Sequence, residues 1–322
     1  MTFYDIFNGD ADGLCALHQI RLAEPCESTL ITGVKRDIAL LERPEIKAGA
    51  GDRVLVLDIS LHENRAGLTR LLQAGAQCLY FDHHFAGDDF HTIAKHPNFR
   101  AFINTGAEVC TSLIVNDFLQ GQYRAWAVTA AFGDNLFDAA HQAALPLELD
   151  DVRLSFLQKL GECLNYNAYG ETVADLHYPP DELYQTLHRY TDPFDFIENE
   201  PVFEVLRNAY MDDLEAAVAV EAALHDAARA LVILPDVAWA RRINGVFSNH
   251  LAQQSPQRAH AVLVKKADGY SVSVRAPLAR ADGADALCRQ FETGGGRKGA
   301  AGINHLPTTQ LDEFVEKFTA AF

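Results

Sequence analysis

The chain is short of positive charge. Its 322 residues carry 27 Lys plus Arg against 44 Asp plus Glu, a formal net charge of −17. Such a surface repels a long nucleic-acid strand, whose binding depends on many Lys and Arg contacts to phosphate. It leaves open a small anion drawn into a locally positive, metal-containing cleft. No stripe of basic residues interleaved with aromatics is present to stack a run of bases. Phe and Tyr recur instead at helix and strand periods, as core residues do. Long apolar runs are also lacking. Hydrophobic residues make up 48% of the chain, but in short segments, and nothing approaches the roughly 18 uncharged residues of a membrane span. The opening Met1-Thr2-Phe3-Tyr4-Asp5 has neither the basic region nor the apolar core of a signal peptide. No Cys-x-x-Cys pair occurs: Cys15, Cys26, Cys78, Cys110, Cys163 and Cys288 are scattered. They suit free thiols in a reducing cytoplasm better than disulfides or a zinc site. Internal repeats and low-complexity tracts are absent. The expectation is a cytoplasmic protein with no membrane partner, long enough for two domains.

What the chain does have is acid at the ends of strands. Thr2 to Phe7 reads as a strand, breaking at Asn8-Gly9-Asp10-Ala11-Asp12-Gly13 before a helix over Leu14 to Leu22. Asp10 and Asp12 lie two apart, so in an extended turn their carboxylates can converge on neighbouring metal ions. Thr29 to Val34 is a second short strand. Arg53 to Leu57 is a third, almost continuously apolar as a buried parallel strand should be. It ends at Asp58, before a helix over about His62 to Ala74. A further strand, Ala76 to Tyr80, runs into Phe81-Asp82-His83-His84. Singly, each acid also fits a plain role as helix cap, Asx turn or solvated charge. Three strands ending in Asp10/Asp12, Asp58 and Asp82-His83-His84 gather their charge on one edge of a parallel sheet. That edge is where such proteins bind ligands, and the crowding is costly unless a cation holds it.

Thr111 and Ser112 fit the N-terminus of a helix over Leu113 to Leu119. They suit capping, with phosphate binding open to the same geometry. A helical stretch over Ala125 to Ala140 carries Gly133-Asp134-Asn135, and an Asp among apolar neighbours needs a partner. Residues 154–229 read as mostly helical, with breaks at Pro179-Pro180 and Asp192-Pro193 and a connecting helix over Asp213 to Leu224. Strand patterns return at Ala230 to Leu234, Ala259 to Lys265 and Tyr270 to Arg275. Helices read at Asn244 to Gln254, Ala284 to Phe291 and Gln310 to Ala320. Between the last two helices lies Gly294-Gly295-Gly296-Arg297-Lys298-Gly299-Ala300-Ala301-Gly302. This is a Gly-rich loop fit to approach phosphates, or a flexible hairpin. It is not the G-x-x-x-x-G-K-[ST] loop of nucleoside triphosphatases.

Taken together these residues resemble the DHH phosphoesterase family. Asn8 to Gly13 looks like its first motif, Asp58 its second, Asp82-His83-His84 its third and Gly133-Asp134 its fourth. Gly294 to Gly302 is similar to the GGGHxxAAG signature of the DHH-associated C-terminal domain. The resemblance implies an α/β fold. Residues 1–200 would form the parallel-sheet metal-binding domain, 201–229 a helical connector, and 230–322 a smaller α/β substrate-binding domain, with the active site in the cleft between domains. It also implies hydrolysis of phosphodiester or phosphoanhydride bonds with Mn²⁺ or Mg²⁺. By the same resemblance Asp12, Asp58, His83 and Asp134 hold one ion. Asp10 and Asp58 hold a second, with Asp58 bridging and Asp82 in support. His84 touches the scissile phosphate. Arg275, Gly294, Gly295, Gly296 and Arg297 grip the substrate.

Two positions depart from the family. Many members carry a His four residues before the first Asp of the D-x-D pair, where this chain has Ile6. The second ion is therefore expected to be weakly held. The signature His is here Arg297, which keeps a positive charge but cannot act as a neutral donor or acceptor. The expected substrate is a short linear di- or oligonucleotide such as pGpG or pApA, cleaved to mononucleotides. A cyclic-dinucleotide phosphodiesterase, a single-strand exonuclease, a pyrophosphatase and a nucleotide-binding regulator with a decayed site are the other readings.

Overall fold

The computed structural model describes residues 1–322, which divide into two compact units, Met1–Arg207 and Asn208–Phe322. The first contains β1 (Phe3–Phe7), α1 (Ala11–Ala23), β2 (Thr29–Ile31), β3 (Arg53–Leu57), α2 (Arg65–Gln73), β4 (Gln77–Asp82), α3 (Phe90–Ile93) and β5 (Phe99–Ile103). Helices α4 (Thr111–Phe118), α5 (Arg124–Gly133), α6 (Phe137–Ala144), α7 (Asp151–Asn167), α8 (Pro180–Leu187) and α9 (Pro193–Asn199) follow. The five strands form one wholly parallel sheet in the order β2-β1-β3-β4-β5. A crossover of this kind needs helices on the sheet's faces, and two apolar cores result. One joins Phe7, Leu57 and Phe81 to α1, α5 and α7. The other packs Ile6, Val56 and Tyr80 against α2 and the turn at Leu40–Glu42. The strand order reverses direction at β1, so the C-terminal ends of β1 and β3 flank the natural crevice of such a sheet.

Helix α1 is buried from Ala11 to Arg21. Its Arg21 is paired with Asp5, Nη2 with Oδ1 and Nε 2.7 Å from Oδ2. The helix begins at Ala11, three residues before the sequence-based start at Leu14. The Asp10 carboxylate caps it by accepting from the N–H groups of Asp12 and Gly13. Asp12 is thus in the first helical turn, not in an extended loop. The helix expected over 125–140 is two, α5 and α6. Asn135 adopts the left-handed region at φ 61° between them, so Asp134 sits at a helix end. The crossing of α5 on α7 depends on glycine, since a Cβ on Gly161 would stand 2.1 Å from Thr129 O.

His18, on α1, is fully buried, with Nε2 2.9 Å from Tyr190 O and its ring edge-on to Trp126. Burial, with His188 beside it, pushes its pKa down to about 3, against the support of the Tyr190 carbonyl. The folded value lies below the ordinary one near 6.5, so between those limits the unfolded chain binds the extra proton. Stability is therefore lost as pH falls from about 6.5, at up to roughly 1.4 kcal/mol per unit from this group. Urea midpoints at pH 6.5 and 5.0 should fall more steeply for the wild type than for His18→Leu. Equal slopes would refute the assignment.

The second unit begins within α10 (Pro201–Val218) and continues through β6 (Leu224–His225), β7 (Arg229–Leu234), α11 (Ala238–Gln254), β8 (Ala259–Lys265), β9 (Gly269–Arg275), α12 (Ala284–Cys288), β10 (Gly294–Arg297), β11 (Ala300–Pro307) and α13 (Leu311–Ala321). Its mixed sheet has the order β10-β11-β9-β8-β7-β6, with β7 and β8 parallel and the other pairs antiparallel. Val272, Val274 and Ile303 pack with Leu287, Phe314 and Phe318 into its core. Arg242 of α11 pairs with Asp213 of α10 through two bonds of 2.9 and 3.2 Å. The connecting helix expected over 213–224 thus begins earlier, at Pro201, and ends at Val218. Strand β5 was not legible as a strand, and of the two readings of Gly294 to Gly302 the structure has the hairpin, β10 and β11 turning at Lys298-Gly299. No helix is long and apolar enough to cross a membrane, and all six cysteines are free.

Candidate metal and phosphate site

The parallel register sets Phe7 beside Leu57 and Leu57 beside Phe81, so β1, β3 and β4 end level. Each then delivers its acids to the same edge. Asp58 turns the chain immediately after β3 with φ 59°. Asp tolerates this left-handed conformation better than most side chains. Its N–H donates to Phe81 O at 3.0 Å, and its carboxylate is buried. Thr111 Oγ1, at the start of α4, donates to Asp58 Oδ1 at 3.0 Å.

Asp12 faces the same helix end. Its two oxygens accept from Thr111 N–H at 2.7 Å and Ser112 N–H at 2.6 Å. Thr111 and Ser112 do open a helix, as their residue types suggested, but the acid that satisfies its first N–H groups comes from 99 residues upstream.

His83 Nε2 is the hub. It lies 3.4 Å from Asp58 Oδ1, 3.8 Å from Asp134 Oδ2 and 4.0 Å from Asp12 Oδ2. His84 Nδ1 is 2.7 Å from Asp82 Oδ1 and 4.0 Å from Asp58 Oδ1, and its side chain is 44% exposed. Asp82 Oδ2 is buried without a hydrogen-bond partner. Two overlapping sets bring their ligand atoms within 4.8 Å of one another: Asp12, His83 and Asp134, and Asp58, His83 and His84. Oxygen-rich sets with imidazole suit Mn²⁺ or Mg²⁺ better than Zn²⁺. The orphaned Asp82 oxygen is a further acceptor in the same pocket.

The charges lean on each other. Burial, then Asp12, Asp10, Asp134 and Asp82, push the Asp58 carboxyl well above its ordinary value. Burial also raises Asp134 by more than Lys35 lowers it. At Asp10 the balance is reversed. Burial works against the charge, but Lys35 and the Gly13 N–H hold the carboxyl low. Burial disfavours charged His84 too, yet the bond to Asp82 keeps its imidazole above the usual range. Lys35 joins the site from the loop after β2. Here its ammonium pairs with Asp10 Oδ2, lies 3.2 Å from Asp134 Oδ1, and donates to Asn165 Oδ1 at 3.0 Å. No local motif announces Lys35 or Asn165, because only the fold carries them to Asp10. Ile6, where the family often has His, is fully buried in the core between β1 and α2.

Arg275, Gly294, Gly295, Gly296 and Arg297 belong to the second unit. Ala300 pairs with Arg275 on one side and Arg297 on the other, so the two arginines stand in one cross-strand row on one face. Two strand spacings separate them, roughly 10 Å. Arg275 is held by Asn249 Oδ1 at 2.7 Å and Ser273 Oγ at 3.0 Å, whereas Arg297 is exposed. The three glycines form the edge strand β10, not an open loop. Lys298 faces Asp282 at 3.4 Å.

A parallel sheet with acids and imidazoles at its C-terminal edge, joined to a mixed-sheet unit, is the DHH-type fold. The resemblance read from the motifs is thus matched by the architecture. Among solved structures the chain is similar to the DHH domain of a member of the s1p family of ribosomal proteins, with TM-score 0.62 and 14% identity over 99% of this chain and 86% of that one. It is similar to exonuclease RecJ bound to manganese, with TM-score 0.58 and 15% identity over 100% and 90% of the two chains. The pGpG-specific phosphodiesterase PggH from Vibrio cholerae aligns over 100% of both chains with TM-score 0.56 and 12% identity. No family model and no curated protein sequence matches the chain.

Proposed function

We propose that this protein is a divalent-metal-dependent phosphodiesterase that hydrolyses short linear di- or oligonucleotides to nucleoside monophosphates in the cytoplasm. The observation that carries the reading is the convergence of Asp12, Asp58 and Asp134 on His83 Nε2, all within 4.0 Å, at the C-terminal edge of the sheet. These four residues would hold Mn²⁺ or Mg²⁺. When bound, such an ion supplies Lewis acidity to a phosphate and a more acidic water as nucleophile. Asp82 fixes the imidazole of His84, which would contact the scissile phosphate and stabilise charge on its oxygens. The neighbours that act on linear pGpG and as an exonuclease support phosphodiester chemistry on this fold.

The proposal assigns the substrate's far end to the second unit. The row of Arg275 and Arg297 fits two anionic groups, and Gly295, with nothing within 4 Å of the place its side chain would take, leaves its backbone open to a phosphate, whereas Gly294 and Gly296 are glycine because Cys288 O and Ala301 fill that space. Arg297→Ala should therefore raise KM about tenfold or more with kcat little changed, because the grip acts in ground and transition states alike. A collapse of kcat at constant KM would assign Arg297 a chemical role instead.

The test of the whole reading is a substrate panel with Mn²⁺ or Mg²⁺: linear dinucleotides, cyclic dinucleotides and pyrophosphate, with products read by chromatography. Mononucleotides released fastest from the linear dinucleotide are expected. Preferential opening of the cyclic compound would move the function to a signalling phosphodiesterase. Binding without turnover of any compound would make the protein a nucleotide-binding regulator.

A further inference from the structure

Both carboxylate oxygens of Asp10 have partners within the chain. Its Oδ1 accepts two backbone bonds, from Asp12 N–H and Gly13 N–H, each at 3.1 Å. Those bonds cap α1 and occupy both lone pairs of that oxygen. Its Oδ2 pairs with the Lys35 ammonium, which also touches Asp134 Oδ1 and Asn165 Oδ1. A primary ammonium has three donors, and here three acceptors surround it. The Lys35 backbone is held as well: its N–H donates to Ala168 O at 2.9 Å, and its carbonyl accepts from Asn8 Nδ2 at 3.2 Å. The side chain is therefore anchored at both ends, next to the ligand set and on its Asp10 side.

We infer that Lys35 is a built-in cation that takes the place of a second metal ion, so the protein binds a single divalent ion through Asp12, Asp58, His83 and Asp134. The inference rests on the metal reading above and departs from the two ions implied by the family resemblance. A divalent ion on Asp10 would have to displace the ammonium or sit beside it. In a partly buried pocket that repulsion weakens binding by orders of magnitude. Between these acids the ammonium does by charge what a second ion would do: it screens Asp10 and Asp134 from each other. It cannot act as a Lewis acid toward water, so that chemistry would fall to the ion that Asp12, Asp58, His83 and Asp134 would hold.

The test counts Mn²⁺ on metal-stripped, full-length protein by titration calorimetry and by low-temperature electron paramagnetic resonance. The wild type should bind one Mn²⁺ per chain with the hyperfine pattern of an isolated ion. Lys35→Met, similar in length and uncharged, should bind a second with at least tenfold higher affinity than the wild type does, and show an exchange-coupled signal. Lys35→Arg, which keeps the charge, should stay at one. Two comparable sites with a coupled signal in the wild type would overturn the inference while leaving the metal reading intact. A single site in folded Lys35→Met would overturn it too. No Mn²⁺ binding by the wild type at millimolar concentration would instead end the metal reading itself. Should Lys35→Met fail to fold, the wild-type count decides alone.

Discussion

Asp58→Asn should lower metal-dependent kcat/KM by more than about a hundredfold while the protein stays folded, since even partners outside a metal's ligand set matter by 10–100-fold. The substitution is chosen for the backbone. Asn accepts the left-handed φ of 59° as Asp does, and its oxygen can still receive the Thr111 hydroxyl. What goes is a charge 3.4 Å from His83 Nε2. The loss has two faces. Without metal, the variant should melt at or above the wild type, because a buried carboxylate crowded by Asp12, Asp10, Asp134 and Asp82 is removed. With Mn²⁺, the wild type should gain about 2.7 kcal/mol at a hundred times its Kd, and the variant almost nothing. Thermal melts with and without Mn²⁺, beside turnover, give the check. Retention of more than about a tenth of wild-type turnover would remove Asp58 from the ligand set.

The second large effect concerns substrate length. A 5′-phosphorylated dinucleotide should be cleaved with kcat/KM at least about tenfold above that of a twenty-mer, with the fall beginning beyond two to four nucleotides. A chain with net charge −17 meets each added phosphate with repulsion. Long-strand binders line a positive groove with stacking aromatics over many nucleotides. Here the basic groups offered to substrate are few. Lys35 is committed to Asp10, Asp134 and Asn165, and Lys298 faces Asp282, which leaves chiefly Arg275 and Arg297. A length series of oligonucleotides under one Mn²⁺ condition measures this. Equal or faster loss of the twenty-mer would favour an exonuclease.

Asp10, Asp58 and Asp82 were legible because each ends or closely follows a strand whose apolar run marks it plainly. Arg53 to Leu57 could be bounded to the residue, and with it the position of Asp58. The break at Asp134 was not legible. Ala and Phe flank it on both sides, and it takes Asn135 in a left-handed conformation to stop the helix. Lys35 was visible as a charge but not as part of the site, since β2 ends at Ile31 and no periodicity says where the following loop returns. The same holds for Asn165, on a helix read from its pattern alone. The glycines of the second unit were read as an open loop or hairpin. The pairing of Gly295 with Gly302 makes them an edge strand, a role their low strand preference hides.

The contacts of Lys35 reach across 25, 99 and 130 residues of chain. Contacts of such sequence separation close late in folding, after the loops between them have been ordered. The pocket should thus be among the last parts of the first unit to be completed. Saturating metal should leave the refolding rate nearly unchanged and slow unfolding by almost the whole of its stabilising effect. An ion bound there would act as a latch on the finished fold, setting the lifetime of the native state and not the speed of its assembly.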